Sequence, residues 1–141
     1  MPRNRFSLLL DYIHLNVKRE MPKKGEGYDK LYKIRSLLEM LSITYLKSYR
    51  PTKMQAIDKS MIRFKGRPSI KQYMPLKPIK RGYKVWIRAN SNSYISQFEI
   101  YTEIGQTTEK CLGSRVFKTL TTDFFGKFHE VYFDNYLPRY H

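Results

Sequence analysis

The stretch Met54-Gln-Ala-Ile-Asp-Lys-Ser-Met-Ile-Arg-Phe64 decides the expected fold, because the sequence pattern changes there from helical to strand-like. Residues 54–64 have the composition of a β-strand, and the Gly66-Arg67-Pro68 that follows is typical of a turn. The strand contains Asp58, the single acidic residue between Lys47 and Arg88, a segment with thirteen lysines and arginines. A carboxylate in this setting is poorly suited to binding phosphate directly. It is suited to holding a cation that phosphate also binds.

The positive charge of the chain is concentrated in this central segment. The formal net charge is +12 over residues 47–88, +4 over residues 1–46 and −1 over residues 89–141, within a total of +15. Charge concentrated in less than a third of a chain predicts a surface that binds polyanions. The basic residues that we expect to bind DNA are Lys53, Arg63, Lys65, Arg67, Lys71, Lys77, Lys80, Arg81 and Lys84.

The composition of the 141 residues predicts a folded protein, with 41% hydrophobic and 15% aromatic residues. The single Cys111 excludes an internal disulfide and a cysteine-based zinc site, and it suits a reducing compartment. No apolar run approaches the ~20 residues that span a bilayer, and no signal peptide is predicted. The basic segment is too rich in proline and glycine for a membrane-binding helix. We therefore expect a cytosolic or nuclear protein whose partner is a nucleic acid and not a membrane.

The pattern of apolar residues predicts the order helix, helix, strand, strand, strand, helix, strand. A first helix is indicated by Phe6, Leu9, Leu10 and Ile13, with Val17 as its possible continuation. Asp29 is placed to cap a second helix, which should end at Tyr49-Arg50-Pro51. The remaining elements are predicted at 54–64, 83–89, 94–101, 114–120 and 129–134, with an irregular basic connection at 71–81. The fold class is therefore α+β or α/β, with a helical segment 1–50 and a mixed segment 51–141.

Two aspartates, Asp58 and Asp134, lie at or near the ends of predicted apolar strands. Carboxylates at the ends of neighbouring strands can hold Mg²⁺ or Mn²⁺, and such ions catalyse phosphodiester displacement. An aspartate before an asparagine at a strand end is also a common turn former, so the pattern leaves both roles open. The histidines match no metal-ligand spacing. Trp86 and the tyrosines near the basic segment can stack on bases, but the position of Trp86 on an alternating strand favours the core.

The chain resembles the piggyBac transposase family, including the transposable element-derived proteins. The resemblance follows the family order along nearly the whole chain. It is carried by Arg3-Asn-Arg-Phe, Leu10-Asp-Tyr-Ile-His-Leu-Asn, Asp29-Lys-Leu-Tyr-Lys-Ile-Arg-Ser-Leu-Leu, Ile57-Asp-Lys-Ser-Met-Ile-Arg-Phe-Lys-Gly-Arg, Lys71-Gln-Tyr-Met-Pro-Leu-Lys-Pro, Gly82-Tyr-Lys-Val-Trp, Leu112-Gly-Ser-Arg-Val and Val131-Tyr-Phe-Asp-Asn.

The resemblance implies a ribonuclease-H-like core in which three aspartates, the DDD set, bind two divalent metal ions. It also implies a DNA transposase activity that cuts at transposon ends, passes through a DNA hairpin and rejoins at TTAA targets. The first catalytic and metal-binding aspartate corresponds to Asp58, and the second corresponds to Asp134. Residues 1–50 resemble the end of the family's N-terminal helical domain, and residues 51–141 resemble the catalytic core.

Several departures from the family pattern limit the expected activity. The third aspartate and the Cys-rich zinc module are absent from the 141 residues, so we expect a truncated core that lacks its C-terminal part and is inactive alone. Arg81 stands where the family usually has tryptophan. Lys59 replaces the usual glutamate after Asp58, and its ammonium would compete there with a metal ion. Metal binding by the remaining two carboxylates should be weak.

The sequence leaves four functions open. The first is a DNA-binding transposase fragment without catalytic activity. The second is a metal-dependent nuclease whose third metal ligand comes either from another subunit or from a residue of this chain such as Glu99 or Glu103. The third is a protein-interaction module that dimerises with itself or with a full-length piggyBac-type transposase. The fourth is a coding remnant without function.

Overall fold

The computed structural model describes residues 1–23, 25, 28–66, 69–102 and 112–133. Within these residues the chain is a mixed α/β protein with helices α1 (Arg3–Tyr12), α2 (Arg35–Ser48) and α3 (Leu112–Thr121). It has two compact units, residues 1–41 and 42–141. No helix in the described residues has the length and apolar character needed to cross a membrane. The domain boundary expected at residue 50 stays a prediction.

The N-terminal unit contains α1, which is shorter and more exposed than the sequence predicts. The helix ends at Tyr12, because the backbone of Ile13 is already extended, with φ −70° and ψ 116°. Val17 is therefore not part of it. The apolar residues that were expected to face a core, including Phe6 and Leu9, are exposed.

Asp29 bonds the turn before α2, whereas the sequence predicts that it caps the helix itself, which begins at Arg35. One carboxylate oxygen of Asp29 accepts the backbone N–H of Leu31 at 2.8 Å, and both oxygens accept hydrogen bonds from the Arg35 guanidinium at 2.7 Å. The hydrogen bond from Arg35 is the main cause that lowers the pKa of Asp29 below its ordinary value. A 3₁₀ turn at Tyr32–Ile34 leads into α2, which ends at Ser48, close to the end predicted by Arg50-Pro51.

The second unit contains one five-stranded sheet. Its strands are β1 (Met54–Arg63), β2 (Gln72–Tyr73), β3 (Arg81–Asn90), β4 (Ile95–Ile100) and β5 (Glu130–Phe133). Strand β1 is central, with β3 antiparallel on one side and β5 parallel on the other. Both β2 and β4 pair with the other edge of β3. The predicted order of elements is confirmed, except that the connection expected to be irregular contains the short β2.

The two faces of the sheet differ because successive strand residues point to opposite sides. On one face Ile57 and Trp86 pack against Val116 and Leu120 of α3 and form the buried core. The expectation that Trp86 belongs to the core is confirmed. Asp58 lies on the opposite face, opposite Ile87 in the β1–β3 register.

A partly buried ion pair joins β3 to the segment that follows α3. Arg88 is 0% exposed, and two of its guanidinium nitrogens donate to the two carboxylate oxygens of Asp123 at 2.5 and 2.9 Å. The same guanidinium donates to the Ser96 hydroxyl at 3.0 Å and to the Leu120 carbonyl oxygen. Arg88 therefore contributes to the interior and not to the basic surface that its place in the sequence suggests.

Candidate nucleic-acid interface and carboxylate site

Asp58 is an exposed carboxylate on the central strand β1. Its carboxylate oxygen Oδ1 accepts the backbone N–H of Lys59 at 2.6 Å. Asp58 pairs with Ile87 of β3, and the described parallel pairing with β5 reaches the preceding residue, Ile57. The exposed carboxylate supplies one hard oxygen ligand of the type that Mg²⁺ prefers.

Asp134 lies outside the described residues. The parallel pairing of β1 and β5 ends with Ile57 opposite Phe133, and these residues directly precede Asp58 and Asp134 in the sequence. Within the described part of the chain there is no cluster of three or more histidine, cysteine, aspartate or glutamate residues that could hold a metal ion.

Lys59 and Glu99 are the two charged residues that the sequence suggests near Asp58. Both lie on the opposite face of the sheet from Asp58. The ammonium of Lys59 lies 5.1 Å from the ring centroid of Trp86, on the side of the sheet that α3 covers. It is therefore not placed to compete with a metal ion at Asp58. Glu99 is opposite Trp86 on this same covered face, and it forms an ion pair of 2.6 Å with Arg115. Glu99 is thus not a third ligand beside Asp58, and Glu103 lies outside the described residues.

Five of the nine basic residues expected to bind DNA line a single open cleft of about 610 Å³. The end of β1, the short β2 and the start of β3 form its walls. We call it the basic cleft, and its described lining consists of Arg63, Phe64, Lys65, Lys71, Tyr73, Pro78, Ile79, Lys80 and Arg81. This lining contains five cations and no acidic residue. Arg63 follows Asp58 by five residues on β1, so their backbones are about 16 Å apart.

Close backbone contacts shape the basic cleft. A side-chain carbon at Gly82 would lie 2.0 Å from the carbonyl oxygen of Ile62, so only glycine lets β3 begin this close to the end of β1. The ammonium of Lys71 donates to the Gly66 carbonyl oxygen at 2.7 Å. The backbone N–H of Met74 donates to the Lys80 carbonyl oxygen at 2.8 Å, which closes the loop between β2 and β3.

The remaining four basic residues lie elsewhere or outside the described residues. Lys53 forms an ion pair of 2.6 Å with Glu130, and this contact raises the pKa of Lys53 and lowers that of Glu130. Lys77 is half-buried in the loop after β2 and does not contribute to the described lining. Arg67 lies outside the described residues.

Lys84 differs most from its expected position. The residue is only 9% exposed, and its ammonium lies 5.2 Å from the ring centroid of Trp86 and 4.3 Å from that of Tyr101. Its place on β3 directs it to the face covered by α3. The expectation that Lys84 offers its charge on the DNA-binding surface does not fit this burial.

The sequence indicated that tyrosines near the basic segment can stack on bases, but it did not single out Phe64 or Tyr73 of the basic cleft. The ring of Phe64 stacks on Tyr83 with centroids 5.0 Å apart, and the Arg81 guanidinium lies 5.3 Å from the ring centroid of Tyr73. The available signal was the alternation of aromatic and basic residues in Phe64-Lys65 and Lys71-Gln-Tyr73. The sequence alone could not show that these two stretches meet in space.

Comparisons with known proteins place the chain among transposase-related sequences. The family described as Transposase IS4 matches residues 1–141. PiggyBac transposable element-derived protein 2 of Homo sapiens is 28% identical over 97 residues, which are 69% of this chain and 16% of that protein. PiggyBac transposable element-derived protein 3 of Homo sapiens is 30% identical over 101 residues, which are 72% of this chain and 16% of that protein.

A solved structure shares the fold. It is described as the cryo-EM structure of a piggyBac transposase synaptic complex with hairpin DNA, and it superimposes with a TM-score of 0.76 at 20% sequence identity. The match covers 98% of this chain and 35% of that one. The chain thus spans about a third of that structure and 16% of the length of the two human relatives.

Proposed function

We propose, because the chain belongs to the Transposase IS4 family and is of the piggyBac type, that it binds DNA through the basic cleft. The observation that carries the proposal is the convergence of five cations from separate parts of the sequence on one concave surface. A DNA partner also favours the nucleus as the place where the chain acts.

The electrostatics of the basic cleft support binding of a phosphate backbone. None of the ion pairs seen among the described residues involves Arg63, Lys65 or Lys80. Their charges therefore remain available to an incoming polyanion. Contacts of this kind neutralise phosphates without reading bases, so we expect little dependence on DNA sequence.

A charge-reversal experiment tests this proposal. Lys65 and Lys80 are exposed residues of the cleft, and the double variant Lys65→Glu/Lys80→Glu should weaken binding to a DNA duplex by about tenfold or more, because two phosphate contacts become repulsive. The matched control is Lys33→Glu/Lys118→Glu, which changes the net charge equally at exposed lysines outside the cleft. Fluorescence anisotropy measures both affinities. Equal losses in the two variants would show that binding follows net charge and not the cleft.

We further propose that the second unit is the first part of a ribonuclease-H-like core in which Asp58 and Asp134 bind Mg²⁺ or Mn²⁺. The strand order supports this arrangement, with β1 between an antiparallel β3 and a parallel β5. In the sequence, Asp58 and Asp134 directly follow Ile57 and Phe133, the last described pair of this parallel register. Such ions would supply the charge that stabilises the attacking and leaving oxygens of a phosphodiester.

Metal binding can be measured apart from any reaction. Titration of Mn²⁺ followed by electron paramagnetic resonance should show weak binding, on the order of millimolar, because only two protein carboxylates contribute. Asp58→Asn should remove this binding, whereas Asp123→Asn, which changes a carboxylate of the partly buried ion pair, should retain it as long as the variant stays folded. Unchanged Mn²⁺ binding in Asp58→Asn would exclude Asp58 as a ligand.

The polypeptide of residues 1–141 should not cleave DNA above background. Phosphoryl displacement requires both reacting oxygens to be stabilised together, and two carboxylates are too few to anchor two metal ions. The assay uses Mg²⁺ or Mn²⁺ with a hairpin-ended duplex or one that contains TTAA. Nicking that is lost in both Asp58→Ala and Asp134→Ala would instead support a nuclease completed by another subunit.

A further inference from the structure

The basic cleft contains aromatic and apolar side chains that are not required for binding the phosphate backbone of a duplex. Its cations suit phosphate, but its described lining also includes the rings of Phe64 and Tyr73 and the apolar side chains of Pro78 and Ile79. In a duplex the bases are stacked on one another, so an aromatic side chain cannot stack on them. Unpaired bases, in contrast, stack readily on aromatic side chains.

Tyr73 is the best-placed ring for such a contact. The residue is 61% exposed, although it belongs to a strand and lines a concave surface. The guanidinium of Arg81 lies near its ring, with the guanidinium carbon 5.3 Å from the centroid. A cation beside a tyrosine ring both anchors the ring and attracts the phosphate of a nucleotide stacked upon it.

A second aromatic side chain, Phe64, and the volume of the cleft also suit one nucleotide. The ring of Phe64 stacks on Tyr83, with centroids 5.0 Å apart, and forms an apolar wall of the cleft. The volume of about 610 Å³ lies within the range of small-molecule sites and is large enough for one nucleotide. Lys65, Lys71 and Lys80 surround this space with positive charge.

We propose that the basic cleft binds an unpaired nucleotide of single-stranded DNA, with its base stacked on Tyr73 and its phosphates held by the surrounding lysines. This inference rests on the proposed DNA-binding function and specifies its ligand. It predicts that the chain binds single-stranded DNA, or a duplex with a single-stranded overhang, more tightly than a blunt duplex of equal length.

The test compares three DNA probes by fluorescence anisotropy: oligothymidylate, a blunt duplex and the same duplex with a thymidine overhang. Tyr73→Ala should weaken binding of oligothymidylate and of the overhang probe by about 5- to 100-fold, the usual effect of removing one stacking platform. Binding of the blunt duplex should change by less than about twofold, because phosphate contacts carry it. Tyr73→Phe retains the ring and should retain the affinity.

The matched control is Tyr12→Ala, which removes an exposed tyrosine from α1, outside the basic cleft. It should leave all three affinities unchanged. If Tyr73→Ala weakens all three probes equally, or none of them, the stacking proposal is wrong. The proposed function fails separately, when Lys65→Glu/Lys80→Glu binds duplex DNA no more weakly than its own charge-matched control.

Discussion

At the scale of single residues, burial distinguishes the roles of basic residues that look equivalent in the sequence. Arg88 is fully buried and bound to Asp123, whereas Arg63 is exposed in the basic cleft. Both belong to the same positively charged segment. Their roles differ because Arg88 occupies a strand position that faces α3, and a buried guanidinium needs a carboxylate and further acceptors close by.

The ion pair between Arg88 and Asp123 should respond asymmetrically to mutation. Asp123→Ala leaves a buried guanidinium without its counter-charge and should lower the free energy of unfolding by about 3 kcal/mol. Arg88→Met removes the buried charge, and the Asp123 carboxylate, whose side chain is 33% exposed, can still be hydrated. Its cost should therefore be smaller. Urea denaturation of both variants measures the difference, and an equal or greater loss in Arg88→Met would contradict this reasoning.

The ion pair of Asp29 with Arg35 predicts a dependence of stability on pH. Because the pKa of Asp29 is lowered below its ordinary value of 3.8, the stabilisation is present above that value. It is lost as the pH falls through the lower value of the folded state. Circular dichroism during acid titration should show that Asp29→Asn loses less helical signal over this interval than the unmodified chain. Identical titration curves would contradict a contribution from this carboxylate.

At the scale of elements, the sequence predicted the order of helices and strands because apolar periodicity reports which residues face a core. It placed the start of α2 too early, because Asp29 bonds the turn that precedes the helix and α2 itself begins at Arg35. It missed β2, whose two residues pair with Arg81 and Gly82 at the start of β3. It extended α1 too far, since the apolar residues at Ile13 and Val17 continue a helical spacing although the backbone leaves the helix at Ile13.

The candidate site was predicted only in part, because burial and contacts between distant residues are set by the fold and not by the local sequence. Charge content indicated a polyanion-binding segment, but charge does not reveal which side chains are buried, so Lys84, which is 9% exposed, was included among the residues expected to bind DNA. The pairing of Phe64 with Tyr83 and of Tyr73 with Arg81 depends on the β1–β3 register and on the loop before β3. Such contacts between distant parts of the chain have no local sequence signal.

The close approach of β3 to β1 gives a prediction for Gly82. In Gly82→Ala the new carbon would meet the Ile62 carbonyl oxygen at 2.0 Å, so backbone has to move. We expect a loss of about 1–3 kcal/mol in the free energy of unfolding. In Gly66→Ala the nearest atom, at 2.3 Å, belongs to the side chain of Phe64, which can rotate away. Denaturant titration should therefore show a smaller loss for Gly66→Ala, and the reverse order would contradict this explanation.

At the scale of the whole molecule, the distribution of charge is the main link between sequence and function. A net charge of +15 favours the binding of any polyanion. A surface that binds the phosphates of DNA at one site also needs its cations close together. The fold provides this by bringing the end of β1, the strand β2 and the start of β3 to one cleft. We therefore propose that this cleft, and not the overall charge, binds DNA.

The salt dependence of DNA binding tests that claim most directly. If the five cations of the basic cleft contact about five phosphates, a plot of log K against log salt concentration should have a slope of about −4.5 for a duplex. In Lys65→Glu/Lys80→Glu the slope should be shallower by about 2, whereas Lys33→Glu/Lys118→Glu should keep the original slope. A flat plot for the unmodified chain, or equal slopes in the cleft variant and the unmodified chain, would contradict binding through the basic cleft.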